Sequence, residues 1–406
     1  MSEKPRKRSL VGRADTRPDY VFMLIVITLL IIGLIMVYSS SFVQAYNAEN
    51  MEPTHFLKRQ AVWAALGLVI MALTMRIEYH NWQKFSIILM LGTLLLLVAV
   101  LLIGGGDGVG PKLFLFQRSI QPSEVCKFAM VVYIAHWLSS KGEKLKQVTY
   151  GLVPFAILIG TIAGLIVLEP DYGTAVLVVA VAAAMFFVGG ADLIQLVISA
   201  IVGSGTLLLL IANSEHAWER VNIFLQDPFN PSLSANTYQI TRILVALGTG
   251  GITGVGLGSS SQKASLPAAH TDAIFAVLGQ ELGLIGCLAV VGLFAALAYR
   301  GFKIALRAED SFGFILASGI TIWLAFQALI NIGVVTDTLP LTGLPLPFIS
   351  YGGSSLVISM MGVGTLLSIS RGTGENTKEQ DAPSGFRGRH GRARVSDSGR
   401  REAARK

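Results

Sequence analysis

The run VFMLIVITLLIIGLIMV, residues 21–37, decides the class of fold. It carries no charge, and Thr28 is its only hydroxyl. Behind the basic head MSEKPRKRSLVGR such a run resembles a secretory signal. It is too long for one and lacks the small-residue cleavage pattern, so it reads as a first membrane span that is retained. Crossing about 30 Å of hydrocarbon takes about 20 apolar residues. By that measure the first span covers 20–41, and further spans fall near 60–76, 85–104, 121–139, 150–168, 171–189, 192–212, 273–299, 311–333 and 348–369. The expected fold is therefore an all-α polytopic membrane protein of ten transmembrane helices.

Composition agrees. Hydrophobic residues make up 52% of the 406 and charged residues 14%, with a mean hydropathy of +0.61, which points to one integrated membrane domain rather than soluble domains. That domain is expected over 20–370, between a basic head, 1–19, and a basic tail, 371–406; neither end has the apolar residues to bury a core, and both read as disordered. An even number of spans puts both termini on one side. The short loops with Lys141, Lys144 and Lys146, and with Arg300, Lys303 and Arg307, make that side the cytoplasm. The fourth span, with Lys127 and His136 inside it, is the weakest by hydropathy, and the charge bias argues for keeping it. The net charge of +7 comes mostly from the two ends and suits anionic membrane lipids; no base-reading motif accompanies it, so no nucleic acid is expected. Cys126 and Cys287 both lie in apolar runs, which argues against a disulfide framework or a metal cluster.

Between spans 7 and 8 a large extracytoplasmic loop runs from 213 to 272, a length at which loops are usually functional. Within it YQITRILVAL (238–247) is amphipathic enough to lie in the membrane interface. The glycine run LGTGGITGVGLG that follows has a backbone able to bend around a ligand, with a re-entrant course open to it. It lacks the Gly-Lys-Ser/Thr ending of a phosphate loop. The loop ends in SSSQKASLPAAHTDAIFAVLGQELG (259–283), which brings Lys263, His270 and Asp272 to the edge of an apolar run. A carboxylate there is a general base, a ligand for a divalent cation such as Mg or Mn, or simply the N-cap of the helix starting at Ala273. His270 alone is more often a structural hydrogen-bonder.

Two further stretches carry polar chemistry into apolar surroundings. In IQPSEVCKFAM (120–130) a proline suits the first helical turn and Glu124 lies one turn from Lys127 on the same face. An ion pair is the bland reading, but an ionisable pair in a lipid-embedded helix needs a protein interior or a wet cavity, which points to function. In LPLTGLPLPFISYGGSS (339–355) Pro340, Pro345 and Pro347 prevent a regular helix, while Ser350, Tyr351, Ser354 and Ser355 set hydroxyls around Gly352 and Gly353. Irregular backbone at membrane depth survives where protein or water satisfies it, so this stretch is either a kinked entry or a cavity lining. EPDYGT packs Glu169 and Asp171 into a short outer turn, and Gln280, Glu281, Gln327 and Asn331 read as glue between helices.

IQPSE with a lysine three residues on, then EPDYGT, AHTD and PLPFISYGGSS in this order, resemble the SEDS (shape, elongation, division and sporulation) family of bacterial cell-wall polymerases, typified by FtsW and RodA. The resemblance spans roughly 20–370 and leans to the division branch through the TGLPLPFISYGGSS and AHTD forms. It implies a peptidoglycan glycosyltransferase that polymerises lipid II, an undecaprenyl-diphosphate-linked disaccharide peptide, at the outer face of the bacterial cytoplasmic membrane. It further implies a class B penicillin-binding protein, an FtsI-like transpeptidase, as partner, with other divisome membrane proteins at the septum. By motif Asp272 matches the family's essential acid, and Glu124 and Lys127 its pair in the fourth span. Departures are Pro111 and Lys112 where the family has an Arg-Trp pair, leaving Lys112 or Arg118 to replace that arginine; Ala273 in place of phenylalanine; and Gln280 in place of the first of two glutamates. Lys127, Lys263 and Arg242, in that order, are the expected diphosphate contacts. The rival readings are a lipid II flippase, an elongation polymerase, and a scaffold that recruits partners through its tails.

Overall fold

The computed structural model describes residues 17–47, 52, 54–103, 121–212, 214–225, 235–260, 266 and 269–372. The readings of the head and of the tail beyond 372, of Lys112 and Arg118, and of Lys263 lie outside these residues. Twelve α-helices follow in order: α1 Tyr20–Asn47, α2 His55–Arg76, α3 Tyr79–Ile103, α4 Pro122–Lys141, α5 Leu152–Leu168, α6 Tyr172–Val188, α7 Leu193–Ala212, α8 Glu215–Leu225, α9 Ala235–Gly250, α10 Ile274–Ala305, α11 Ser311–Val335 and α12 Gly353–Gly372. A short 3-10 turn, Gly142–Lys146, links α4 to α5. No strand occurs among the described residues.

Ten of these helices fall on the ten apolar segments of the sequence. By length and apolarity α1, α2, α3, α10, α11 and α12 can each cross a membrane, and α5, α6 and α7 are shorter apolar helices. α4 is polar enough at its start to fall outside that set, yet it is the more deeply enclosed: Glu124, Lys127 and nearly all of the helix between Pro122 and Ala135 are buried. Burial against protein, not lipid, explains why it tolerates its charges.

Hydrogen bonds between helix ends sort those ends into two groups. At one end Asp19, ahead of α1, receives Arg300 from the last turns of α10 at 2.6 Å, and its N–H reaches Ser370 of α12 at 3.2 Å. Ser368 of α12 donates to Ile77 O at the close of α2 (2.6 Å), and Tyr79 at the start of α3 donates to Asp310, the N-cap of α11 (2.9 Å). At the other end the start of α2, the starts of α4, α6 and α12, the approach to α10 and the close of α11 meet around the candidate site. Consecutive crossings require this alternation.

Two expectations are corrected. The predicted span 273–299 is not one straight helix: α10 breaks at Gly283, whose φ of 66° and ψ of −167° suit glycine alone. The turn Ile274–Leu282 before the break lies in the protein interior up to Glu281. The glycine run after α9 straps this break, with Val255 N bonded to Gln280 O (3.0 Å), Gly256 N to Glu281 O (3.0 Å) and Leu284 N to Gly251 O (2.9 Å). The last span starts at Gly353 rather than 348, because residues 340–350 form an irregular loop. The amphipathic segment 238–247 is helical, within α9, and buries Ile240, Ile243 and Ala246.

Candidate functional site

The site is assembled on the irregular loop 340–350, which cannot hydrogen-bond to itself as a helix does and so takes partners from neighbouring elements. On α11, Gln327 and Asn331 sit one turn apart. Gln327 Nε2 donates to Pro345 O (2.9 Å), and Asn331 Nδ2 donates to both Leu344 O (2.8 Å) and Asp272 O (2.9 Å). Ser350 Oγ donates to Thr271 O (2.7 Å) and accepts from Leu346 N (2.8 Å). Tyr351 N donates to His270 O (2.9 Å). The loop and the 270–272 segment thus form one unit. Buried Gln60 of α2 closes it from the far side, donating to Ser350 O at 3.2 Å.

The turn is strained as well as pinned. Phe348 has a φ of 65°, an unusual position for a bulky residue that the surrounding bonds must hold. Gly33 of α1 makes room for it, since a Cβ there would come within 2.4 Å of Phe348 O.

Asp272 stands at the edge of this unit. It does not cap α10: the N-cap position is Ala273, which makes no side-chain cap bond, so the simplest structural role for the carboxylate is gone. Instead a Cβ built on Gly343, whose φ is +74°, would lie 3.7 Å from Asp272 Oδ2. Glycine keeps that side of the carboxylate open. Burial pushes the Asp272 carboxyl above the usual carboxylate range, while hydrogen bonding from Thr271 and the charge of Arg220 pull it back.

Glu124 and Lys127 do form an ion pair, at 2.6 Å, with side chains 2% and 1% exposed. Lys127 Nζ also donates to Gln327 Oε1 (2.9 Å), which accepts in addition from Trp323 Nε1 (3.0 Å). The pair is therefore joined to the Asp272 loop through one amide side chain, Gln327. His270 packs in an aromatic group, 4.7 Å from Phe56 and 5.4 Å from Tyr351 between ring centroids; burial pulls its imidazole below the usual histidine range.

The remaining expected site residues divide. Ser350 is a buried pin with both its hydrogen-bonding directions committed, so it acts on the loop rather than on a ligand. Tyr351 and Ser354 are partly exposed at the mouth of α12. Arg242 is partly buried on α9. Glu281 and Gln280, read as helix glue, do join helices: Ser39 Oγ of α1 donates to Glu281 of α10 (2.5 and 2.7 Å), and Gln280 Nε2 donates to Thr249 Oγ1 of α9 (3.0 Å). Among the described residues no cluster of three His, Cys, Asp or Glu could hold a metal ion.

Sequence reasoning passed over Gln60, Arg220 and the linking role of Gln327. Arg220, on α8, donates from Nη1 to Leu341 O (3.4 Å) and is the cation whose charge reaches Asp272. One signal pointed to it: it is one of the two arginines in the large loop, with Arg242.

A helical, multi-pass membrane protein with a mostly buried carboxylate at the head of a broken helix, joined to a buried acid–lysine pair, is the class that fold and site define. The chain belongs to the cell cycle protein family that includes FtsW, RodA and SpoVE, whose model matches residues 20–375. It is 39% identical over 359 residues to a probable peptidoglycan glycosyltransferase FtsW of Trichlorobacter lovleyi, covering 87% of this chain and 93% of that protein. It is 40% identical over 360 residues to stage V sporulation protein E of Bacillus subtilis, covering 88% and 98%. Among solved structures, a chain from a peptidoglycan synthase complex, described as coordinating polymerization and crosslinking, superposes with a TM-score of 0.72 at 27% identity over 88% of this chain and 99% of that one. The rod shape determining protein RodA of Thermus thermophilus superposes with a TM-score of 0.64 at 25% identity, over 87% and 97%.

Proposed function

We propose that this protein is a peptidoglycan glycosyltransferase that polymerises lipid II into β-1,4-linked glycan strands at the outer face of the cytoplasmic membrane, in septal wall synthesis. The observation that carries the reading is Asp272: excluded from capping α10, pinned by its own carbonyl to Asn331, and open on the side of Gly343. Family membership and the names of the relatives support the reaction class; the septal role rests on the division-type motifs.

In the reaction the Asp272 carboxylate takes the proton of the acceptor sugar's 4-hydroxyl. That oxygen bonds to the anomeric carbon of the donor, and the bond from that carbon to the lipid diphosphate breaks, its electron pair leaving with the diphosphate and the configuration inverting. The alternative role for Asp272 is to hold a divalent cation, Mg or Mn, which would neutralise charge on the leaving diphosphate. Glu124 orients Lys127, and through Gln327 the pair holds the loop beneath Asp272. The undecaprenyl chain stays in lipid, which explains why a polymerase should be so apolar. The reading takes 20–370 as one catalytic domain with ten crossings, cytoplasmic ends and a large outer loop, 213–272, working with a class B penicillin-binding partner and other division proteins.

Purified with such a partner and given lipid II, the wild-type chain should make glycan resolvable by length on a gel, and Asp272→Asn should fold and insert normally yet make none. Glycan from the variant would remove the base and cation assignments together. Lipid II movement without bond formation would favour a flippase, and indifference to every charge at the outer face a scaffold.

A further inference from the structure

Charge has to be supplied where the diphosphate leaves, and the buried side of the site does not supply it: Lys127 is 1% exposed and already holds Glu124 and Gln327. Arg220 differs in each respect. It is partly exposed on α8, its one hydrogen bond among the described residues is the 3.4 Å contact to a neutral carbonyl, Leu341 O, and no carboxylate there stands within ion-pair distance of it. A guanidinium has five N–H donors in a fixed fork, so most of this one's capacity is unused.

The loop Arg220 touches is the loop that borders Asp272. Leu341 receives Arg220; Thr342 has a buried Oγ1 with no hydrogen-bond partner; and Gly343 stands open beside Asp272 Oδ2. Three consecutive residues thus run from a cation with free donors, past an unanswered hydroxyl, to a carboxylate. Resting on the polymerase reading, we propose that Arg220, with the Thr342 hydroxyl, binds the diphosphate of the lipid-linked donor and stabilises it as it leaves, making Arg220 a catalytic residue. Planar forks suit phosphate oxygens bidentately, and donors already aimed at developing charge act without reorganising.

Two experiments on the full chain with its partner test this, using wild type, Arg220→Met and Arg220→Lys. In a thermal-shift titration with inorganic pyrophosphate, the half-saturating concentration should rise at least about tenfold in Arg220→Met and less in Arg220→Lys, as loss of a bidentate charged contact implies; equal affinity in all three overturns the proposal. In lipid II polymerisation followed against pH, Arg220→Met should stay about 100-fold slower in kcat even at alkaline pH, by analogy with removal of one oxyanion donor. Recovery to the wild-type rate at alkaline pH would mean that Arg220 acts only through the ionisation of Asp272, and overturns it too. Should Arg220→Met not accumulate in the membrane, Arg220→Gln takes its place. A wild-type chain that makes no glycan would defeat the polymerase reading, while the pyrophosphate titration would still decide Arg220.

Discussion

Replacing Lys127 by methionine removes a charge from a place where its partner cannot find water. Glu124 is 2% exposed and 2.6 Å from the ammonium, and its Oε2 has no other hydrogen-bond partner. Breaking a buried pair from one side costs about 3–5 kcal/mol, most of it the stranded charge. Gln327 Oε1 is not stranded in the same way, since Trp323 Nε1 still donates to it at 3.0 Å; losing the lysine's bond to it adds only about 1 kcal/mol. The double variant Glu124→Gln/Lys127→Met removes the charge from both sides, and neutral replacement of a whole buried pair is often free of cost. The stability of the double variant should therefore lie at least about 2 kcal/mol above that of Lys127→Met alone. Reversible unfolding by SDS in mixed micelles measures this, and polymerisation by the folded fraction separates the roles: a purely structural pair regains stability and turnover together, a pair that serves the reaction regains stability alone. A loss below about 1 kcal/mol in Lys127→Met, or costs that simply add across the cycle, would refute the stranded-charge reasoning.

Gly283→Ala meets two obstacles at once, a left-handed φ of 66° and a backbone nitrogen, Gly254 N, only 2.3 Å from the added Cβ; such strain costs about 1–3 kcal/mol. The variant should lose thermal stability and expose the strap at 250–256 to proteolysis, and an unchanged digestion pattern would count against the strap. Glu169 is fully buried with both carboxylate oxygens unpartnered, and burial, with Asp171 adding to it, pushes its carboxyl up to about 8. Below the ordinary value of 4.5 the folded and unfolded chains both hold the proton and nothing is lost; between 4.5 and about 8 only the unfolded chain releases it, so stability falls with rising pH and then levels. Glu169→Gln should therefore equal wild type near pH 4.5 and exceed it by up to a few kcal/mol by pH 8, at about 1.4 kcal/mol per unit; a gain that is the same at both pH values would contradict this.

How much of this was legible beforehand follows from the range of each interaction. The thickness of hydrocarbon acts on a continuous stretch of chain, so 21–37 and the nine other apolar segments announced their helices directly. Pro122 marked the first turn of α4, three prolines marked an irregular stretch before α12, and the three-residue spacing of Glu124 and Lys127 put them on one face, where they do pair. Asp272 was visible as an acid at the edge of an apolar run. Nothing local said that it would be left uncapped, because the cap position moved to Ala273 when loop 340–350 drew the 270–272 segment to itself. Ser350 looked like a ligand hydroxyl and is a pin, since its partners, Thr271 and Leu346, are chosen by how the loop lies across the chain. That the glycine run would strap a broken helix was not legible, since only the packing of α9 on α10 reveals that Gly283 breaks the helix beneath it. Arg220 lies 52 positions before Asp272 in the numbering and reaches its neighbourhood through Leu341. The sequence by itself determined which segments are helical and which residues carry charge into apolar surroundings, because those depend on neighbours along the chain; which polar group answers which was decided only by tertiary structure, because it depends on how the helices are rotated and packed against one another.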